Sequence, residues 1–369
     1  MAVLIGVDEA GYGPNYGPLV VAATAWEVGE KASGLRPQAS GRNAGTTACA
    51  TKPAVAASAA AGAATRFPDL YKLLRKAVVR SPDAAGRKLA IADSKLLYKA
   101  GFGVRQLERG VLAALAAMGA GDEHTCVEQV AELLQLTAAD PTERRRELDC
   151  HFDDEQRLPL EMEAAEICRL AAKLRQACAE SGVELLAVRA TLVYPAEFNT
   201  LVEKYGTKGA ALSHVTLGLV RRVVDEVGGA GTGGMNPPAR LDSFLIYLDK
   251  HGGRNRYAAL VQHHFPESWI ETVSEGRAAS RYRWRHGEQS VEAIFRVGCE
   301  ELLPTALASM TAKYHRELAM RAFNAFWTAR LPALRPTAGY PGDSRRFKAE
   351  IAAEQRELGI EDGVLWRWR

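Results

Sequence analysis

Val3-Leu4-Ile5-Gly6-Val7-Asp8-Glu9-Ala10-Gly11-Tyr12-Gly13-Pro14-Asn15-Tyr16-Gly17-Pro18 is an apolar run that ends in two adjacent carboxylates and passes at once into a loop holding three glycines. A second apolar run, Leu19 to Trp26, follows. The order reads as strand, acidic tip, tight loop, strand. Charge at the end of a buried strand has to be solvated, paired or bound to a cation. A divalent ion is a natural partner for two carboxylates.

The bulk composition sets outer bounds. With 369 residues, 47% hydrophobic and 25% charged, the chain has ample material for a core and reads as one large domain or two. The net charge of +3 is too mild to imply nucleic acid unless basic residues cluster locally. Cys49, Cys126, Cys150, Cys168, Cys178 and Cys299 form no C-x-x-C pair, which argues against a zinc ribbon or a thioredoxin-like site. Scattered cysteines fit reduced thiols inside a cell. No segment offers 18 uninterrupted apolar residues and no secretory leader is visible, so the expectation is a soluble cytoplasmic protein.

Two stretches read as insertions: residues 31–65, dominated by Ala, Gly, Ser and Thr with a marginal helix as the competing reading, and the Gly-rich linker Gly228 to Pro238. Between and after them, patterns alternate. Helices are expected over Phe67 to Val79, Leu107 to Met118, Glu161 to Glu180, a segment capped by Ser213 and running through Val223, and Glu300 to Ala329. Strands are expected over Lys88 to Ala92, Val183 to Val193 and Ser243 to Leu248. Arg281 to Arg285 and Val291 to Val297 alternate about His286-Gly287-Glu288 and read as a hairpin. The fold class is α/β, with a central mixed β-sheet flanked by helices.

Three acidic sites stand at strand ends or a helix start: Asp8-Glu9, Asp249 and Glu300-Glu301. If strands 3–8 and 243–249 are neighbours, Asp8 and Asp249 meet. Converging carboxylates repel one another and invite Mg²⁺ or Mn²⁺. Two such ions are a known device for phosphodiester hydrolysis. A single strand-end Asp is more often a turn residue or a cap; the doubled carboxylate before a Gly-rich loop tips the reading toward a site.

Asp8-Glu9-Ala10-Gly11-Tyr12-Gly13, with Gly17-Pro18 behind it, resembles the D-E-A-G-R-G…G-P signature of type 2 ribonucleases H (ribonuclease HII). Ala92-Asp93-Ser94-Lys95-Leu96 resembles the family's D-S-K segment, and Glu197-Phe198-Asn199 its E-I-D…N stretch. Leu248-Asp249 resembles its strand-end Asp, and Ala308-Ser309-Met310-Thr311-Ala312-Lys313 its A-S-I-x-A-K helix. Arg316-Glu317 is similar to the R-D that follows, and Gly339-Tyr340-Pro341 to the G-Y-x-T segment. The order is kept across nearly the whole chain, with 31–65, 120–165 and 228–240 as additions.

The resemblance implies a ribonuclease H-like catalytic domain over 1–330, a helical extension over 331–369 packing on it, and a monomer that binds RNA–DNA hybrid duplexes. It implies endonucleolytic hydrolysis of the RNA strand by two ions, Mg²⁺ or Mn²⁺, leaving 5′-phosphate and 3′-hydroxyl ends. Asp8, Glu9 and Asp249 carry over as catalytic metal ligands. The fourth carboxylate aligns with Cys299; a one-residue slip gives Glu300, preferred because a carboxylate is a hard ligand and a thiol is not, with Glu301 as the weaker candidate. Gly11, Tyr12, Gly13, Lys95, Lys313 and Tyr340 carry over to substrate binding. Tyr12 stands where the family has Arg or Lys, which removes a phosphate contact. A nucleic-acid-binding protein with weakened chemistry, or a nuclease for another duplex, is the alternative.

Arg277, Arg281, Arg283 and Arg285 with Tyr282 and Trp284 read equally as a phosphate-binding edge or as an exposed sheet face with its aromatics in the core, and both can hold at once. Leu365-Trp366-Arg367-Trp368-Arg369 invites the same two readings. Asp149-Cys150-His151-Phe152-Asp153-Asp154 has neither EF-hand nor zinc spacing and reads as a solvated loop. His263-His264 reads as a helix end before Phe265-Pro266.

Overall fold

The computed structural model describes residues 1–29, 68–83, 85–99, 103–119, 127–139, 153, 155–229 and 243–368. The segment 31–65, the residues 230–240 of the Gly-rich linker, and Asp149 to Asp154 except Asp153 lie outside them.

A seven-stranded mixed sheet forms the centre. Its strands are β1 (Ala2–Ala10), β2 (Leu19–Val28), β3 (Val183–Val193), β4 (Ser243–Leu248), β5 (Glu271–Ser274), β6 (Ala279–His286) and β7 (Gln289–Arg296), in the spatial order β3-β2-β1-β4-β7-β6-β5. β1 runs antiparallel to β2 and parallel to β4, and β4 is parallel to β7. β1 is central and covered on both faces, so its sequence is continuously apolar rather than alternating.

The longer helices are α1 (Arg105–Met118), α2 (Ala164–Ser181), α3 (Pro195–Tyr205), α4 (Lys208–Val227), α5 (Leu303–Arg330) and α6 (Pro341–Glu357). Val3, Ile5 and Val7 enter a core built with α4 residues such as Leu219 and Val223. Leu4 enters the opposite core, with Leu107 of α1, Leu170 of α2 and Leu307 of α5. That period-two split decides where the next even-numbered residues point. α6 places Phe347 and Ile351 against Tyr16, Phe323 and Trp327, each buried side chain worth about 2 kcal/mol. Among the described residues no helix is long and apolar enough to cross a membrane.

α5 approaches the sheet unusually closely. A Cβ on Gly6 would lie 2.1 Å from the Thr305 nitrogen and 2.4 Å from the Pro304 carbonyl carbon, both backbone atoms. Beside it the buried Thr24 hydroxyl donates to the Pro304 carbonyl at 2.8 Å and accepts from the Trp26 indole at 3.0 Å. Gly6→Ala is therefore expected to cost about 3 kcal/mol, because backbone on one side and strand on the other leave no room to yield. Denaturant unfolding would show the lowered midpoint; an unchanged midpoint would contradict the close approach.

Several local expectations are corrected. Phe67 to Val79 is not one helix: only Leu70–Leu73 is helical, and Val78–Val79 pairs in parallel with Leu89–Ala90. Ser213 does not cap; Thr207 does, accepting from the Ala210 N–H at 3.1 Å, while Ser213 sits within α4 and donates to Gly209 O at 2.7 Å. Met162 precedes α2 but is buried. Glu300 belongs to a 3₁₀ turn, Cys299–Glu301, and α5 starts only at Leu303. The 120–165 addition contributes a described helix, Val130–Thr137, whose Leu133 joins the core.

Candidate metal centre

Parallel pairing of Val7 with Leu248 brings Asp8, near the end of β1, beside Asp249, the residue that follows β4. Asp8 shares its parity with Leu4 and Gly6, so it faces α5. Thr305 meets Gly6, and one helical turn later Ser309 hydrogen-bonds to the Asp8 carboxylate. The Ser309 and Ser94 hydroxyls lie 3.0 Å apart, which ties the Asp93-Ser94-Lys95 turn to α5. Gly298, at φ +77°, turns the chain after β7 so that Glu300 reaches the same place.

Ligand atoms of Asp8, Asp249 and Glu300 lie within 4.8 Å of one another. Burial first, then the charges of Glu9 and Glu300, push the Asp8 carboxyl well above the usual carboxylate range. Glu9 is pushed up to about 7, by burial and then by the charge of Asp249. Asp249 is raised by burial and by Glu300, against the Cys299 N–H that donates to it at 3.1 Å. Such a set is strained by its own charge. The donors fit Mg²⁺ or Mn²⁺: they are hard carboxylate oxygens, and a dication would relieve both burial and repulsion.

Of the three alternatives at the fourth position, Glu300 is the one that converges. Its side chain is 12% exposed, with Lys95 Nζ 3.6 Å from its carboxylate. Glu301 is 62% exposed and pairs with Arg296. Cys299 is buried, its Sγ donates to Leu248 O at 3.3 Å, and burial pushes its thiol far up, which keeps it protonated. Burial opposes the charge on Lys95, but Asp93, Glu300, Asp8 and Asp249 outweigh it and raise its pKa.

The glycine loop follows closely on Glu9 in the chain. Gly11 has φ +86°, and a Cβ there would lie 2.5 Å from Pro18 O and 2.8 Å from Arg316 Cδ. A Cβ on Gly13 would meet only Tyr340, at 3.9 Å, and Tyr340 is 51% exposed. Loop tip and exposed ring therefore share one accessible edge. Tyr12 packs partly into the core, its hydroxyl toward Gly209, and burial followed by the Glu9 charge raises its phenol pKa. Lys313 is engaged within the protein: it pairs with Glu317 at 2.5 Å and lies 4.4 Å over the Tyr98 ring.

Arg316 is the structural residue that its sequence motif did not reveal. It is buried and donates to Ala338 O at 3.0 Å and, at 3.4 Å, to Tyr16 O and Pro18 O. One guanidinium thus holds the glycine loop and the Tyr340 segment together. Its signal was only the R-E pair after the α5 lysine.

In both basic stretches the structure places part of the side chains in the core. Tyr282 and Trp284 are buried, while Arg283 pairs with Glu292 at 2.9 Å and Arg281 with the same carboxylate group at 3.9 Å. Arg367 is fully buried, 5.1 Å from the Phe198 ring, and burial lowers its pKa to about 9. Arg369 lies outside the described residues.

No family model and no curated protein matches the chain. Among solved structures it is similar to the ribonuclease H2 of Pyrococcus horikoshii OT3, at 13% identity and TM-score 0.40 over 98% of this chain and 92% of that one. It is similar to the ribonuclease HII of Archaeoglobus fulgidus, solved in complex with PCNA, at 13% and 0.37 over 100% and 94%. It is also similar to Bst ribonuclease HIII in complex with Mn²⁺, at 13% and 0.34 over 99% and 66%.

Proposed function

We propose that the protein is a metal-dependent endoribonuclease that hydrolyses the RNA strand of RNA–DNA hybrid duplexes, leaving 5′-phosphate and 3′-hydroxyl ends. The observation that carries this reading is the convergence of Asp8, Asp249 and Glu300 within 4.8 Å, with Glu9 near enough to feel the charges of Asp249 and Glu300. The ordered motifs shared with type 2 ribonucleases H support the choice of substrate.

Asp8, Glu9, Asp249 and Glu300 would hold two Mg²⁺ or Mn²⁺ ions. When bound, these supply an activated water and charge stabilisation for the leaving oxygen. The rest of the work falls to the chain. Ser309 fixes the Asp8 carboxylate, and the Cys299 N–H fixes Asp249. Lys95, 78% exposed yet bound to the rim of the cluster, offers a cation to an incoming phosphate. Gly13 leaves its backbone open to a ribose, and Tyr340 presents a ring for stacking on the sugar at the cleavage junction. Arg316 keeps these two in register. Tyr12 and Lys313 contribute less than their motif positions imply, because both are engaged within the protein.

A panel of hybrid, single-ribonucleotide, RNA and DNA duplexes, each with Mg²⁺ and with Mn²⁺, tests the proposal. Cleavage of the hybrid that stops in chelator is expected. Salt-sensitive binding of the hybrid without turnover would replace the nuclease reading with a binding protein.

A further inference from the structure

We propose that His214, His263 and His264 form a second metal site, of the class that takes Zn²⁺ or another nitrogen-preferring transition metal ion. Their ligand atoms lie within 4.8 Å of one another, grouped separately from the carboxylates. His214 projects from α4; His263 and His264 end the helix Ala258–His264 that packs on it. His214 Nδ1 and His264 Nε2 are 3.1 Å apart. Two nitrogens on one tetrahedral zinc, each bonded at about 2.0–2.1 Å, stand about 3.4 Å apart. Two of the three donors are therefore already spaced for one ion.

The setting is built rather than accidental. His214 is stacked on Tyr205, centroids 3.6 Å apart and planes 14° off parallel, which fixes its ring. Gly218, one helical turn after His214, leaves space for the His264 ring: a Cβ there would lie 3.7 Å from His264 Cε1. His263 is exposed, with its ring edge-on to both others at 4.8 and 5.0 Å, so a side-chain rotation brings its nitrogen in. Burial lowers the pKa of His214 and of His264 to about 4, so both rings are neutral donors in ordinary buffer. The donor set has three nitrogens and neither thiolate nor carboxylate, which separates it in chemistry from the Mg²⁺-type cluster.

Three protein ligands leave a fourth position open. Lys204, Arg254 and Arg222 lie near enough to act on these histidines by charge. They disfavour a bare dication and favour one that carries an anion in that position. The ion would join α4 to the helix after the 250–257 turn. Ser213, next to His214, meets His251 Nδ1 at 3.0 Å, which links the site to the chain just beyond Asp249.

The test is a Zn²⁺ titration of the full chain in saturating Mg²⁺, competed with a chromogenic chelator. His263→Ala and Asp249→Asn are run in parallel, with Co²⁺ absorption as a geometry readout. One Zn²⁺ per chain with Kd of about 1 μM or tighter is expected. His263→Ala, at an exposed position that leaves folding intact, should weaken it about tenfold or more. Asp249→Asn should leave it unchanged, and Co²⁺ should show tetrahedral absorption that His263→Ala removes. No binding, binding indifferent to His263, or binding lost with Asp249 would each overturn the proposal.

Discussion

Asp249→Asn is expected to lower turnover of a hybrid duplex by about a thousandfold or more and to leave duplex affinity within about threefold. The loss follows from position. Asp249 directly follows β4, beside Asp8, and accepts from the Cys299 N–H, so an amide there keeps the shape but removes one negative charge from the cluster. Several kcal/mol of transition-state stabilisation are at stake, at about 1.4 kcal/mol per decade of rate. The same variant carries an internal control on folding. Glu9 titrates at about 7 in the folded chain against an ordinary 4.5, and after burial its largest cause is the charge of Asp249. A carboxyl raised in this way gives stability that is complete below about 4.5 and lost as pH climbs through about 7. A neutral amide in place of the Asp249 carboxylate lowers the Glu9 pKa and lessens that loss. In chelator at pH 8 the variant is therefore expected to melt above the native protein, while at pH 4 the difference shrinks. Single-turnover kinetics and paired melts read both effects; unchanged cleavage would remove Asp249 from the chemistry.

The parts of the molecule that were legible in its sequence are those governed by local pattern. Val183 to Val193 and Ser243 to Leu248 are strands with the bounds their apolar runs give. The aromatics of β6 point inward as alternation requires. Asp8 and Asp249 meet because adjacent parallel strands align their ends. The rest depends on partners far away in the chain. Nothing local marks Gly6 as the seat of α5, because the conflict is with the backbone of Thr305. That Arg281 and Arg283 of β6 share one carboxylate, Glu292 from β7, is not marked by their own stretch of sequence. Val78–Val79 leaves its helical pattern to pair with Leu89–Ala90. His263-His264 was readable as a helix end; that His214, about 50 residues earlier, would face it was not. Arg316 looked like part of a motif, and its burial beneath the glycine loop appears only when Ala338 comes to meet it.

Glu300→Gln and Glu301→Gln separate two adjacent carboxylates that sequence alone leaves open. The first is expected to lose about a hundredfold to a thousandfold in turnover, the second less than about twofold. The 3₁₀ turn that begins at Cys299 sends the two side chains in different directions. Glu300 goes inward to Asp8 and Asp249; Glu301 goes outward to Arg296, where an exposed ion pair contributes little. Cys299→Ala supplies the third arm. Its buried, protonated thiol contacts the backbone carbonyls of Leu248 and Arg296 and also the Asp249 carboxylate, but the larger contact to Asp249 comes from its backbone N–H, which Ala retains. Cys299→Ala should therefore cost stability more than turnover, about 1 kcal/mol for the small void it leaves. Metal titrations of the three variants provide the second readout. Glu300→Gln should raise the Mg²⁺ concentration needed for half-maximal rate, and the other two should leave it in place. A large loss confined to Glu301→Gln would move the fourth ligand one residue along the turn and require Glu301 to leave Arg296 when the ions bind.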